Sequence, residues 1–537
     1  KINLDAMMGM GNITTDPNLP IWVKAQGNIG FADIEQIMPT TKTILRDVPR
    51  SNGLQLLADV EGTASRLHVN NVEASLPRYI MLKANGYVDY PMMPQKIGGD
   101  VKLAGSLTNA NFISSIALDR ATAKQVTIPN MKLKGNIHYS PAGATGNIAA
   151  FTGQGKMAFD GKWQKRSEGY NAKLVADAFP VQAFMPSLGV GDITATITVD
   201  GHGYDPRVPS TVIHADASID GVDYNGKHLS NTRLEATLAN GEVKGYLDSH
   251  NPEADFSADF SGTVTKNLYT WTVNGDVRHI NLQALGLSET PLYGSMLIDT
   301  EGSFAPANMG IDADVAINHV NWVIDENKLI ADEVLLNLLT GDSTSHATLK
   351  SGDLNATFTA YTGLDSTISK LSSITAVMDS AIARHNLDVR ALQRAIPPMD
   401  ANINLGQNNL AATFLATSGI QWDNASMTVH NDSLLSLHAK TLGLATKTMR
   451  TDTIALDALQ HGKYLVYTIN MNNRPGTFDD FAHVTLRGYL ANDKASFIVH
   501  QRNIQNKEGF FIGVNAAMTD SMARVSFIPH KPVIGYK

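Results

Sequence analysis

From Val212 to Val264 apolar and polar residues alternate with period two. Ile213, Ala215, Ala217 and Ile219 share one parity of the first run, and Leu234, Ala236 and Leu238 share one parity of the next. Val243, Gly245 and Leu247 follow, then Phe256, Ala258, Phe260, Gly262 and Val264. The intervening positions are mostly polar, among them His214, Asp216, Ser218, Glu235, Thr237, Lys244, Ser257 and Asp259. Successive strand side chains point to opposite faces, so the pattern predicts a sheet with one apolar and one wet side. Asn225-Gly226 and Asn240-Gly241 suit type I′ turns, which accept positive φ at both central residues. The stretch therefore reads as an antiparallel meander whose apolar face needs a cover.

The same alternation recurs along the chain, as in Val101, Leu103, Gly105 and Leu107, and in Met131, Leu133, Gly135 and Ile137. Between Leu364 and Ile396 the spacing changes to three and four, with Ile368, Leu371, Ile374, Val377, Met378 and Ala381 on one stripe. That predicts an amphipathic helix covering an end or mouth of the sheet, a second helix from about Asp388, and a stop at Pro397-Pro398. A further helix is expected over Leu410–Ala416. One short pattern repeats: Ile34-Glu35-Gln36-Ile37-Met38-Pro39, Val181-Gln182-Ala183-Phe184-Met185-Pro186 and Leu392-Gln393-Arg394-Ala395-Ile396-Pro397, with Leu282–Leu287 a version lacking proline. Each copy is a helical turn closing a strand, and the spacing is too long and uneven for a solenoid. The expected organisation is a β-groove segment over 1–186, a β-meander groove over 187–363, the helical segment 364–398 and a C-terminal β-groove segment over 399–537. The fold class is mainly β: an elongated, curled antiparallel sheet with an apolar groove, a few short helices and one longer helical segment.

Composition narrows the function. Charged residues are 18 % and the net charge is −8 over 537 residues, which disfavours a nucleic-acid partner; the longest basic cluster, Lys162–Arg166, is short. There is no cysteine, hence no disulfide and no thiolate metal site. No run reaches the roughly 18–20 apolar residues of a membrane span. The chain has neither a signal-like start nor a natural-looking end, and is expected to be an internal fragment.

Catalytic motifs are weak. The sixteen histidines fall mostly on polar strand positions. Pro39-Thr40-Thr41-Lys42-Thr43 lacks the glycines of a phosphate loop, and Gly9-Met10-Gly11-Asn12 is a lone GxG. Asp220 to Gly226 fails the spacing of a calcium loop and reads as a hairpin turn. Asp479-Asp480 has no partner that sequence can identify. Trp22, Trp163, Trp271, Trp322 and Trp422 are too dispersed for a stacking series and are assigned to packing. No enzyme, metal or cofactor is expected. The cover for the apolar face is a second sheet, a closed barrel, or a curled wall enclosing a ligand. The many Ala and Gly positions favour the last.

The run Val222–Asn231, with Leu234–Leu238, Gly241–Gly245 and Asp248–Pro252, resembles the recurring signature of TamB/AsmA-like envelope proteins, Bacteroidetes-type members in particular. The closing Val525–Pro529 and Pro532–Tyr536 are similar as well. The resemblance implies a β-taco crossing the periplasm, anchored in the inner membrane through a missing N-terminal segment. It implies engagement of an outer-membrane β-barrel protein of the BamA/TamA kind through a missing C-terminal region. The function it implies is a lipid-transfer conduit moving phospholipids between inner and outer membrane. The alternative is a structural or chaperone module for β-barrel assembly, and a β-helix polysaccharide enzyme or adhesin ranks third. In the leading reading phospholipid acyl chains contact Ile213, Ala215, Ala217, Ile219, Leu234, Ala236, Leu238, Val243, Leu247, Phe256, Ala258 and Phe260.

Overall fold

A computed structural model describes residues 2–9, 16–31, 35–36, 48, 53–117, 120–153, 155–224, 226–384, 388–447, 450–473, 483–503, 505–518 and 523–529. Strands hold 65 % of the chain, every strand pair is antiparallel, and the sheet does not close into a barrel. The chain divides into two compact units, residues 1–265 with 279–289, and residues 266–278 with 290–537.

The first unit contains β1 (Ile2–Met8), β2 (Pro20–Ile29), β3 (Leu54–Thr63), β4 (Arg66–Leu76), β5 (Ile80–Asp89) and β6 (Gly98–Leu107). After α1 (Phe112–Ala117) and α2 (Arg120–Ala123) come β7 (Met131–Ser140), β8 (Gly143–Thr152), β9 (Gly155–Gln164) and β10 (Gly169–Pro180). Then follow β11 (Val190–His202), β12 (Val212–Tyr224), the short β13 (Lys227–Leu229), β14 (Thr232–Ala239), β15 (Glu242–Asn251) and β16 (Ala254–Val264). Each strand pairs with the next, except that β12 pairs with both β13 and β14. The topology is the meander that the turn residues predict. Asn240 (φ 55°) and Gly241 (φ 74°) both take positive φ, as a type I′ turn requires. Asn225 lies outside the described residues, while Gly226 has φ 76°. The stretch read as a hairpin turn at Asp220 differs: β12 runs on as strand to Tyr224, and its backbone bonds are completed by β11 and β13.

Alternate strands of such a meander run the same way, so the connections leaving β2, β6 and β10 emerge at one rim. All three are longer than a hairpin turn. Phe31 and Val48 from the first pack with Leu76, Tyr79 and Phe112, and the Tyr79 and Phe112 rings meet edge to face at 5.9 Å. Thr127 then ties the second connection to the third: its amide donates to the Phe184 carbonyl at 2.7 Å, and its hydroxyl to that of Ala183. Phe184 stacks on Phe179 of β10. These contacts form a seam along that rim, and a second buried cluster, Leu19, Ile21 and Ala64, lies at the β1–β2 and β3–β4 connections of the other rim. The repeated pattern at Val181–Pro186 forms two short 3-10 turns in this seam; most of the Ile34–Pro39 copy lies outside the described residues.

The second unit holds β18 (Leu292–Ala305), β19 (Gly310–Ile324), β20 (Asn327–Thr340), β21 (Ser345–Ser351) and β22 (Leu354–Ala360), with β17 (Tyr269–Asn281) shared between the units. After α3 (Leu364–Arg384) and α4 (Val389–Ala395) come β23 (Met399–Leu405), α5 (Leu410–Thr417), β24 (Asn424–Asn431), β25 (Leu435–Ala445) and β26 (Arg450–His461). The last strands are β27 (Tyr464–Asn472), β28 (His483–Leu490), β29 (Lys494–Arg502), β30 (Glu508–Met518) and β31 (Ala523–Phe527), and β18 to β31 pair in sequence order. Helices sit where the three-and-four spacing places them. Asp388 caps α4 by accepting from the Arg390 and Ala391 amides, both at 3.0 Å. Asn409 caps α5 through the Ala412 amide. The expectation that α3 covers the sheet is not met: it packs beside α4, and its Ile368, Leu371 and Met378 stay exposed.

Beside the buried Val389 and the bond from the Gln393 side chain to the Asp432 carbonyl at 2.8 Å, one buried side chain ties the end of α4 to the sheet. The Asn431 side-chain amide, on β24, donates to the carbonyls of Gln393, Ile396 and Pro397 at 3.2, 2.9 and 3.0 Å, and Asn431 is fully buried. Asn431→Ala strands three helix-end carbonyls, a loss of about 1–3 kcal/mol. Amide hydrogen exchange in α4 should then quicken by roughly ten- to a hundredfold; unchanged exchange would show that the helix is held by its other contacts alone.

Candidate functional site

Strand register aligns apolar residues across the whole first unit. One cross-strand row reads Leu4, Ala25, Ala58, Val72, Ala84, Leu103, Gly135, Ile148, Phe159, Leu174, Ile197, Ala217, Leu234, Leu247 and Ala258. Its neighbour reads Ala6, Val23, Val60, Val69, Gly86, Val101, Ile137, Gly146, Gly161, Ala172, Val199, Ala215, Ala236, Gly245 and Phe260. Neither row contains a polar side chain. The second unit repeats the arrangement from Val315 through Leu336, Leu349, Ala356, Ile403, Met427, Ala439, Leu456, Ile469, Leu486 and Val499 to Ile512.

All twelve residues singled out by sequence lie on this face. Ile213, Ala215, Ala217 and Ile219 stand on β12 opposite Leu238, Ala236, Leu234 and Thr232 of β14. Val243 and Leu247 of β15 follow in the same rows, then Phe260, Ala258 and Phe256 of β16. Leu238 is buried and the others are half-buried. Sequence reading expected a groove segment over 1–186 and saw the alternation in single strands such as β6 and β7, but named no site residues in β1 to β11; the pattern is hidden in two of these strands for a local reason. An extra residue in β4 shifts its register between Val69 and Val72, so the apolar parity changes from odd to even along the strand. The bulge keeps both halves on the same face. A similar shift between Ala176 and Phe179 of β10, with Ala178 at φ 43°, hides the pattern there.

Among the described residues nothing in the first unit covers the face. Leu4 is 66 % exposed, Phe159 43 % and Ile148 40 %. With strands about 4.8 Å apart and a two-residue repeat of about 6.8 Å, the two rows alone present roughly 1,000 Å². The largest apolar patch of an ordinary monomer is about 300–600 Å². Leaving such an area wet costs about 25 kcal/mol.

Several glycines of the face do not leave the room that the sequence suggests. A Cβ on Gly245 would collide with the Phe260 ring, one on Gly161 with Phe159, and one on Gly105 with Leu82. Large side chains lie flat over neighbouring glycines, as Trp322 lies over Gly294 and Trp271 over Gly302. The face is consequently smooth, with one shallow apolar hollow of about 310 Å³ among Val72, Leu82, Ala84, Leu103, Leu133 and Ile148. Trp163 and Trp422 also serve packing: Trp163 bonds the Tyr204 hydroxyl, and buried Trp422 donates to the Gly406 carbonyl at 2.9 Å.

The opposite face is polar and ion-paired. Lys83 meets Glu73 at 2.7 Å and Arg233 meets Asp216 at 3.3 Å. Hydrogen bonding to Arg66 holds the Asp89 carboxyl below its usual range, and Asp216 raises the Arg233 guanidinium. In the second unit Asp400 accepts from the Tyr361 hydroxyl at 2.5 Å and bonds His430 at 2.6 Å, which lower it. Among the described residues no group of three or more His, Cys, Asp or Glu side chains is placed to hold a metal, and no helix is long and apolar enough to cross a membrane. Thr40–Thr43, Met10–Asn12, Asp479-Asp480 and Val533–Tyr536 lie outside the described residues.

Fold and face together define an open antiparallel β-meander with a continuous apolar surface that no described residue covers. No protein-family model, curated protein or solved structure matches the chain.

Two outcomes follow from this geometry. Replacing Ile197 and Leu247 with Asp should cut the fluorescence of a bound apolar dye by about half or more, while Thr198→Asp on the wet face should not; equal losses would mean the dye reads general unfolding. Because Asp400 is lowered on folding, its stabilisation is complete above about pH 4 and is lost as pH falls through its folded value. Asp400→Asn should flatten that part of the acid-unfolding curve, followed by circular dichroism. An unaltered curve would place the acid sensitivity elsewhere.

Proposed function

We propose that the apolar face of the first unit is a passive lipid-binding surface, along which phospholipid acyl chains move between inner and outer membrane. The observation that carries this reading is the pair of rows without a polar side chain across fifteen hydrogen-bonded strands, β1 to β12 and β14 to β16. A fully buried methylene is worth about 0.8 kcal/mol. A sixteen-carbon chain lying half-buried on an open face gains about 6 kcal/mol, enough to hold it and weak enough to release it. Each strand step exchanges one apolar contact for another, so an acyl chain meets no polar barrier on the way. The headgroup stays in water at the rim or above the face. No covalent chemistry is required of any residue.

The resemblance to TamB/AsmA-like proteins agrees with this reading and supplies its cellular setting. In that setting the chain works in the periplasm, as part of an inner-membrane-anchored protein that meets an outer-membrane β-barrel partner. The competing assignment, a chaperone module for β-barrel strands, would use backbone edges and leave the face idle. The β-helix alternative needs parallel rungs, whereas every strand pair is antiparallel.

A photo-crosslinking side chain at Ala215 or Ala258 should capture phospholipid, and one at Ser218 or Asp259 should not. Equal labelling of both sets would sink the proposal, and capture of nascent barrel strands without lipid would favour the chaperone assignment.

A further inference from the structure

The wet face of the first unit is not uniform. Across β5 to β10 it carries a hollow of about 830 Å³ lined by Lys83, Lys102, Lys134 and Lys173, with Asp160 as its one carboxylate. This concentration of positive charge occurs in a chain of net charge −8. Lys83 is occupied by Glu73 at 2.7 Å. The nearby Asp100 faces His138 at 3.8 Å. No ion pair within 4 Å engages Lys102, Lys134 or Lys173 among the described residues. Lys83, Lys102 and Lys134 stand on successive strands at diagonal register positions, a spacing of roughly 7–8 Å. With Lys83 neutralised by Glu73, the Lys102 and Lys134 ammonium groups at that spacing repel each other in the free protein, and an anion between them relieves the repulsion.

The remaining lining specifies the rest of the ligand. Ala104, Ala149 and Ala158 form a low floor between the lysines. Asn71, Asn85, Asn136 and Asn147 surround it. Asparagine offers one acceptor and two donors, which suits a dense array of hydroxyls. The Oδ1 of Asn136 is buried and accepts no hydrogen bond in the protein, and a buried acceptor left in that state is costly. A turn of that side chain toward the hollow would let a ligand hydroxyl satisfy it. We propose that this hollow binds an anionic saccharide bearing more than one acid group, one held by Lys102 and Lys134 and another by Lys173 three strands away, with its hydroxyls held by the asparagines. The site lies on the opposite face from the apolar rows and does not depend on their occupant. The saccharide could be a free polymer or the headgroup of a glycolipid, since both present the same chemistry.

Titration calorimetry with a galacturonic acid hexamer, maltohexaose and inorganic phosphate tests the assignment on the intact chain. The charged hexamer should bind, weaken steeply with added salt, and exceed both the neutral hexamer and phosphate. Combined K102Q, K134Q and K173Q should weaken it about tenfold or more, with K227Q and K244Q as controls that leave it intact. These lysines are exposed, and unchanged circular dichroism confirms folding of the variants. Capture of vesicles bearing a glucuronosyl lipid, but not a neutral glucosyl lipid, would assign the glycolipid source; binding of the free hexamer alone would assign the polymer. Equal affinity for maltohexaose, equal affinity for phosphate, or indifference to the three substitutions would overturn the proposal.

Discussion

Everything in this protein depends on one geometric constraint: side chains alternate across a strand, and register carries that alternation from each strand to the next. A single slip would turn every later apolar residue toward water. The first unit holds parity over fifteen strands and absorbs its irregularities in bulges. The extra residue in β4 is an example, since Val69 and Val72 differ in sequence parity yet face the same way. The bulge preserves the face at the expense of the simple pattern. A sheet that needed only to be stable would tolerate polar interruptions on an uncovered side. Here none occurs in the two central rows.

The surface is smooth for the same reason that it is continuous. Phe260 lies over Gly245 and Phe159 over Gly161, so large and small residues level one another. Stability is supplied at the edges instead. Phe31, Val48, Leu76 and Phe112 cluster at one rim of the first unit, and Thr127 links that cluster's connection to Phe184. In the second unit Asn431 and Val389 seat α4 where β22 gives way to β23. Burial at the rims frees the central face from any packing role, which leaves it available to an external apolar partner.

The sequence was legible where local rules act alone. Period-two runs from Val212 to Val264, the Asn240-Gly241 turn and the change of spacing at Leu364 each predict the element found there. The face was read correctly in β12 to β16 because those strands pair with one another without a bulge. In β1 to β11 the alternation was read in single strands such as β6 and β7, but bulges in β4 and β10 hid its continuity from strand to strand. The reading of the glycines as free space failed because a sequence does not show which side chain lies across them. The cover expected from α3 failed similarly: a helix stripe such as Ile368, Leu371 and Met378 specifies an apolar partner without saying where it is. The lysine hollow was invisible because its members come from four strands and meet only through register.

The absence of cysteine makes the central claim directly measurable, since a spin label can be placed at any single position. Labels at Ala84→Cys and Ala172→Cys stand on the apolar rows, and one at Thr198→Cys stands on the wet face. Power-saturation measurements with a water-soluble nickel relaxant, before and after adding phospholipid, report which face lipid shields. Shielding at Ala84 and Ala172 with an unchanged Thr198 is the result this account predicts. Equal relaxant access at all three positions in the presence of lipid would contradict it.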